Sequence, residues 1–446
     1  MLLLAPILLV LLGGLPALLR TGQVDPRGWM VPALLLVLLG GLPALLRTGQ
    51  VDPRGWMVPA LLLVPATALL RARRGEGAAW WVGVGTVGTV LSCAFLATWR
   101  VPGLVSVAWL LAGVLAATVA GLMFRVPAKA GTQFKWSDWV PAFAGTRQMA
   151  GLGFALLALA ISWFAREHRI EPSPGKRAEL EVISGLPLFW RENGVKADAP
   201  IITVLRQRFD VRPVDSPLAL EKGGAGMLLL AQPRAFSLDE QVALDAWIGK
   251  GGKALILADP QLRWPMDWPL GDRRRPPAVT LLAAMIEYWG VRMTPPSPGE
   301  QRHFLGDGRV LTIYSAAVFE NAGPDCRIVG RGLAARCMVG KGSVTIVADA
   351  DLIDDRLWLA DPAAPLEPAQ WTADTPQFVA EALGAPLPAG RRWVRSGEAL
   401  VNALRWAVVV GIFWAALGTV LFRRRAAAPS GLSPPRPDRP KPVKEG

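Results

Sequence analysis

The sequence predicts an α/β domain with a largely parallel sheet and an antiparallel hairpin insertion, joined to an α-helical transmembrane region. Three observations predict it. Residues 227–260 read as strand, helix, strand. A second apolar run, residues 343–348 (SVTIVA), ends in an acidic turn as 253–258 does at Asp259. Long apolar stretches are confined to residues 1–165 and 400–422, whereas 166–399 have the charge and turn content of a globular domain.

The strand–helix–strand stretch is the anchor. Met227–Ala231 is a short apolar run closed by Gln232-Pro233, the pattern of a buried strand. Ser237 and Glu240 stand at capping-box spacing at the start of a helix. Val242, Leu244, Trp247 and Ile248 give that helix one apolar face, and Gly249, Gly251 and Gly252 end it. Residues 253–258 form the second strand, stopped by Asp259-Pro260. Two buried strands joined by one helix imply parallel pairing and a right-handed crossover.

A chain of 446 residues has room for two or three domains. Its apolar fraction of 52% is high beside a formal charge of +13. That charge sits at the ends of apolar stretches: Arg71, Arg73 and Arg74 after one, Arg423–Arg425 after another. Basic residues so placed are topology signals, and they point to a membrane rather than to nucleic acid. Candidate spans are residues 2–19, 29–46, 56–70, 78–98, 101–124, 149–165 and 400–422. With positive ends in the cytoplasm, alternation leaves 166–399 outside and the C-terminus inside. Residues 423–446, rich in Pro, Arg and Lys, read as a disordered basic cytoplasmic tail.

Two repeats interrupt this plan. Residues 7–33 recur as 34–60 with only the first residue changed, so 7–60 is a tandem duplicate of a 27-residue unit. Residues 126–147 contain VPAKAGTQ and its echo VPAFAGTR, and read as an insertion into a loop.

In the external domain, residues 185–190 (GLPLFW) are expected to be a first strand, 199–208 a helix and 209–215 a strand. Residues 278–289 follow as a helix; 309–314, 327–329 and 334–339 as strands of an antiparallel insertion. Residues 375–383 close the domain with a helix that Asp374 caps, Pro376 suiting its first turn. A two-residue turn at Arg331-Gly332 sets Cys326 opposite Cys337. They form a disulfide in an oxidising compartment and otherwise remain strand thiols. Three cysteines without CxxC spacing and two histidines give no zinc site, and no metal or cofactor is expected.

In parallel sheets, ligands favour the carboxyl ends of strands. The residues there are Gln232, Arg234, Asp259, Asp349 and Asp351. Acidic residues so placed can offer oxygen to a cation or a polyol, and can equally cap helices and stop strands. Arg273-Arg274-Arg275 forms a basic loop. No GxSxG elbow, phosphate loop or HExxH is present. Neither His168 nor His303 has a nucleophile beside it in sequence, so an enzyme is not expected.

The segments LLLAQPRAFSLDEQVALDAWIGKGGKALILADP and VGKGSVTIVADADLIDD resemble the external domain of GldG-type auxiliary proteins of ABC transport systems. That group is similar to class I glutamine-amidotransferase-like (flavodoxin-like) folds, and the resemblance covers residues 185–359. It implies a non-catalytic accessory subunit of the bacterial inner membrane, with a periplasmic binding module beside a permease and an ATPase. Amidotransferases carry a nucleophilic cysteine after a strand; here Gln232 and Asp259 follow the two central strands. The alternatives are an envelope-facing receptor for a glycan or small polar ligand, or a hydrolase using the strand-end carboxylates.

Overall fold

Apolar sequence without turn residues becomes helix first, because backbone groups in lipid must bond within their own segment. The computed structural model describes residues 30–124, 146–165, 169–191, 193–220, 226–269, 271–387 and 391–422. The first copy of the N-terminal unit up to residue 29, most of the 126–147 insertion, His168 and the basic tail lie outside these residues.

The bundle opens with α1 (Met30–Thr48). A loop and a single 3-10 turn, Pro53–Trp56, follow; Asp52 caps the turn by accepting from the Arg54 N–H. Next come α2 (Leu63–Arg74), α3 (Glu76–Thr98), α4 (Leu104–Met123) and α5 (Thr146–Phe164). Among the described residues, α3, α4 and the C-terminal helix are long and apolar enough to cross a membrane. Residues 53–72 give a fourth candidate, bent by 55° at a break.

The α/β part begins at β1 (Ala178–Ser184), followed by α6 (Pro200–Leu205), β2 (Phe209–Pro213) and β3 (Met227–Ala231). Then come α7 (Leu238–Gly249), β4 (Lys253–Leu257), α8 (Ala283–Tyr288) and β5 (Val291–Met293). Four antiparallel strands follow, β6 (Glu300–Phe304), β7 (Val310–Tyr314), β8 (Phe319–Ala322) and β9 (Cys326–Val329). The chain returns through β10 (Ala334–Val339) and β11 (Gly342–Val347) to α9 (Thr375–Ala382) and the long C-terminal α10 (Gly397–Leu421).

Seven strands form one sheet in the order β2-β1-β3-β4-β11-β10-β9. The first five pair in parallel and the last two antiparallel. Two small antiparallel pairs, β5–β8 and β6–β7, are added to it. Leu180, Leu229 and Leu255 pack one face, and Leu228, Leu230, Ile256 and Ile346 pack the other. Burial on both faces is what makes the central strands continuous apolar runs rather than alternating ones. Each such side chain contributes about 2 kcal/mol by leaving water.

The capping box is present in full: Ser237 Oγ accepts the Glu240 N–H, and the Glu240 carboxylate accepts the Ser237 N–H. On the helix face, Leu244, Trp247 and Ile248 are buried, but Val242 is exposed.

Other expectations are corrected. The first strand is 178–184, not 185–190; Gly185 turns the chain, and a Cβ there would lie 2.4 Å from the Gln232 carbonyl oxygen. The helix expected over 278–289 shrinks to α8. Long-range backbone bonds, Leu262 N–H to Ala278 O and Thr280 N–H to Asp259 O, pull the preceding residues out of helical geometry. Asp374 stands at the start of α9 without capping it; its Oδ2 accepts from Val310 N and from the Trp393 indole. β9 and β10 extend the main sheet rather than form a separate insertion. Their connection is four residues long, with Arg331 in the left-handed region at φ 56°. Cys326 and Cys337 face each other across that pair and are disulfide-bonded.

Bundle and sheet meet through the polar loop of the second repeat copy. Val51 N–H donates to Arg392 O, and Val394 N–H donates to Gly49 O, forming a two-bond ladder. Gln50 Nε2 donates to the carbonyls of Pro368 and Trp371. Arg100 adds a bond to Asp307 O. Near the start of α3 and the end of α10, Trp81 and Trp414 stack with centroids 4.1 Å apart, and each indole N–H donates to the other's carbonyl. Gly85 admits the Trp414 ring, since a Cβ would lie 2.3 Å from it. Small residues at such contacts are how helices approach closely without a hydrophobic drive between them.

Candidate functional site

The carboxyl ends of β4 and β11 are adjacent because those strands pair in parallel, Leu257 beside Val347. Each continues for one alanine and then an aspartate, Asp259 and Asp349. Asp351 follows two residues on. One oxygen from each of the three carboxylates lies within 4.8 Å of the others. All three are buried, Asp259 and Asp349 completely and Asp351 at 2% exposure.

Backbone amides surround them. Asp259 Oδ1 accepts from Gln261 N, and its Oδ2 accepts from Ala350 N and Asp351 N. Asp349 accepts from Tyr314 N and Leu352 N, one on each oxygen. Asp351 Oδ2 accepts from Arg263 N, while its Oδ1 is buried without a hydrogen-bond partner among the described residues. Five of six oxygens therefore bind main chain and join the ends of β4, β7 and β11 to the loop at Arg263. A hydrogen bond to a charged group contributes about 1.5–3 kcal/mol.

The cluster also opposes its own ionisation. Burial pushes the Asp349 carboxyl well up, and the negative charge of Asp259 pushes it further. Burial likewise raises Asp351, to about 7, with Asp259 again adding repulsion. Asp259 itself is raised by burial, while the amides of Ala350, Gln261 and Asp351 hold it down. Like charges this close in low dielectric cannot all be carried, so the triad retains protons near neutrality. The three carboxylates are the donors from which a hard cation would draw oxygen ligands, with Asp351 Oδ1 as the free one.

Gln232 belongs to the same end of the sheet but turns its side chain to main chain. Its Oε1 accepts from Asp259 N, and its Nε2 donates to the carbonyls of Asp259 and Pro277. Its backbone stands at φ 43°, a left-handed conformation that non-glycine residues adopt only when neighbours impose it. Arg234 is drawn elsewhere. It forms a bidentate pair with Glu240 at the start of α7, with its own side chain 57% exposed. That guanidinium, then the Ser216 hydroxyl and the Ser237 amide, holds the Glu240 carboxyl down at about 2 against the effect of burial.

The five residues named from sequence thus divide in the structure. Asp259, Asp349 and Asp351 form one buried cluster, Gln232 braces its edge, and Arg234 serves the helix start. The basic loop is likewise occupied, Arg274 pairing with Asp272 and lying 4.4 Å over the Trp268 ring. His303 lies on β6, bonded to Gly330 O. Sequence reading missed Arg263, Tyr314 and Leu352, which contribute only backbone N–H groups and leave no side-chain signal.

Comparison with known proteins gives a partial family match. Residues 178–296, from β1 past β5, match the sequence model of a family described as ABC-type uncharacterized transport system. No curated protein matches the chain. Among solved structures, an exo-β-1,4-mannosidase from Opitutaceae bacterium strain TAV5 is 16% identical, over 46% of this chain and 36% of its own, with a TM-score of 0.25. A cytoplasmic protein (STM3548) from Salmonella typhimurium is 8% identical over 47% of this chain and 100% of its own, at 0.30. A β-galactosidase from Rahnella sp. R3 is 11% identical over 57% and 39%, at 0.27. The chain spans little more than a third of the mannosidase, and likenesses this low carry no inference about activity. The family match, together with the apolar helices, supports a membrane protein with an accessory role in an ABC-type transport system.

Proposed function

We propose that this chain is a non-catalytic accessory subunit of a bacterial inner-membrane ABC transporter. In this reading, the α/β part, residues 166–399, is an extracytoplasmic interaction module, and both flanking helical regions anchor it. The observation that carries the reading is the match of residues 178–296 to the ABC-type transport family. Two features support the details. The five parallel strands run in the order 2-1-3-4-11, the order of doubly wound flavodoxin-like sheets. Arg71 and the start of α3 lie at the end of the bundle away from the sheet, where positive charge belongs to the cytoplasm. A nucleotide-binding partner is required, because the sequence has no phosphate loop.

Affinity capture of the full chain from native membranes in mild detergent, followed by mass spectrometry, tests this. An ATPase and a permease in stoichiometric amount are the expected companions. Recovery of the chain alone, under conditions that preserve other ABC assemblies, overturns it.

A further inference from the structure

A second cluster of charge lies where the sheet meets the bundle, and nothing in the accessory role accounts for it. A cavity of about 920 Å³ opens there between the end of α3, the β6–β7 hairpin and the start of α10. Arg100, Arg331, Arg391, Arg392 and Arg395 line it, against Glu398 as the acidic side chain among the lining residues. Arg100, Arg331, Arg392 and Arg395 make no ion pair among the described residues. Arg100 donates to a carbonyl and Arg395 lies over the Trp99 ring. The Nε of Arg392 is buried with no hydrogen-bond partner among the described residues. Four guanidiniums held around one space without an ion pair among the described residues repel each other, and an anion within it relieves that repulsion.

The start of α10 adds to the field. Ser396 caps this 25-residue helix, and Ser396, Glu398 and Ala399 border the cavity, so the positive end of the helix dipole faces it. Location narrows the ligand. Trp99 and Trp406 also line the space and are 63% and 60% exposed, as tryptophans at headgroup depth are. Val101 and Leu104 beside them are more exposed still. A cavity of this size, basic within and apolar at its rim, fits a polar head whose tails remain in the bilayer.

We propose that this cavity binds the phosphate of an anionic lipid headgroup, held by Arg331, Arg392 and Arg395. The test uses the full chain, delipidated in nonionic detergent and titrated with phosphatidylglycerol, phosphatidylcholine or inorganic phosphate, with bound species counted by native mass spectrometry. Arg331→Gln with Arg395→Gln removes two exposed side chains whose loss leaves no buried group unpaired. The expected result is preferential phosphatidylglycerol binding that this double variant weakens about thirty-fold, the loss that two juxtamembrane basic residues carry. Arg273→Gln with Arg292→Gln, a charge-matched pair outside the cavity, leaves it unchanged. Equal phosphatidylglycerol affinity in all three proteins overturns the site. Equal binding of phosphatidylcholine overturns the anionic preference, and binding of inorganic phosphate alone overturns the lipid as its source.

Discussion

The acidic cluster at the strand ends and the basic cavity at the membrane are both groups of like charge, yet they are built in opposite ways. Asp259, Asp349 and Asp351 are buried and bound to main-chain N–H groups through five of six oxygens. Arg331 and Arg395 are exposed, and neither makes an ion pair among the described residues. Charge enclosed by backbone amides holds loops in place. Charge left open around a space is available to a ligand. The contrast separates a feature of the fold from a feature of recognition, although sequence alone makes the acids the more conspicuous set.

Substitutions break or sharpen that contrast. The largest effect is expected from Asp349→Ala, which leaves the part-buried amide of Tyr314 and the buried amide of Leu352 without an acceptor. At about 1–3 kcal/mol for each stranded group, the variant loses about 4 kcal/mol. Urea unfolding followed by tryptophan fluorescence measures it, and a loss below about 1 kcal/mol would remove the structural role.

Asp351→Asn acts in the other direction. With a folded-state value of about 7 against an ordinary 3.8, Asp351 keeps a proton that the unfolded chain has released between those pH values. The stability linked to it is fully present below 3.8 and lost as pH rises through 7. Asparagine keeps the acceptor for Arg263 N and places a donor where Oδ1 has no partner. The variant is therefore expected to be about 2 kcal/mol more stable than wild type at pH 8, with the gap closing towards pH 4. Paired thermal melts across that range read it directly.

Glu240 has the opposite sign. Its value is depressed to about 2, so its contribution is present above the ordinary 4.5 and lost as pH falls through 2. Glu240→Gln is expected to lose about 1 kcal/mol at pH 7, the usual magnitude for a helix cap, and to flatten the acid limb of the melt. Smallest of all is the Arg331→Gln and Arg395→Gln pair, whose stability should stay within about 0.5 kcal/mol of wild type. A larger loss would place these arginines in the fold instead of in recognition.

Much of the architecture was legible because it is local. The capping box at Ser237 and Glu240, the apolar runs of β3, β4 and β11, and the termination of each strand at Gln232, Asp259 or Asp349 all lie within short windows. What misled is long-range. The 185–190 run looks like a strand until Gly185 is seen pressed against the Gln232 carbonyl. The start of the 278–289 helix is held extended by Asp259 O. Proximity of Asp259 to Asp349 depends on β4 pairing with β11, which are separated in sequence by the whole hairpin region. The basic cavity draws Arg100, Arg331 and the 391–395 run from three distant places, so the sequence does not show it as one cluster. Residues 7–60 read from sequence only as a tandem duplicate, yet Gly49-Gln50-Val51 of the second copy forms the seam with the sheet.

The accessory role is tested most directly by ATP hydrolysis, compared between the isolated chain and the assembly captured through it, in one detergent. The account predicts turnover in the assembly and none in the isolated chain. Hydrolysis by the isolated chain, or a captured assembly without ATPase activity, would contradict it.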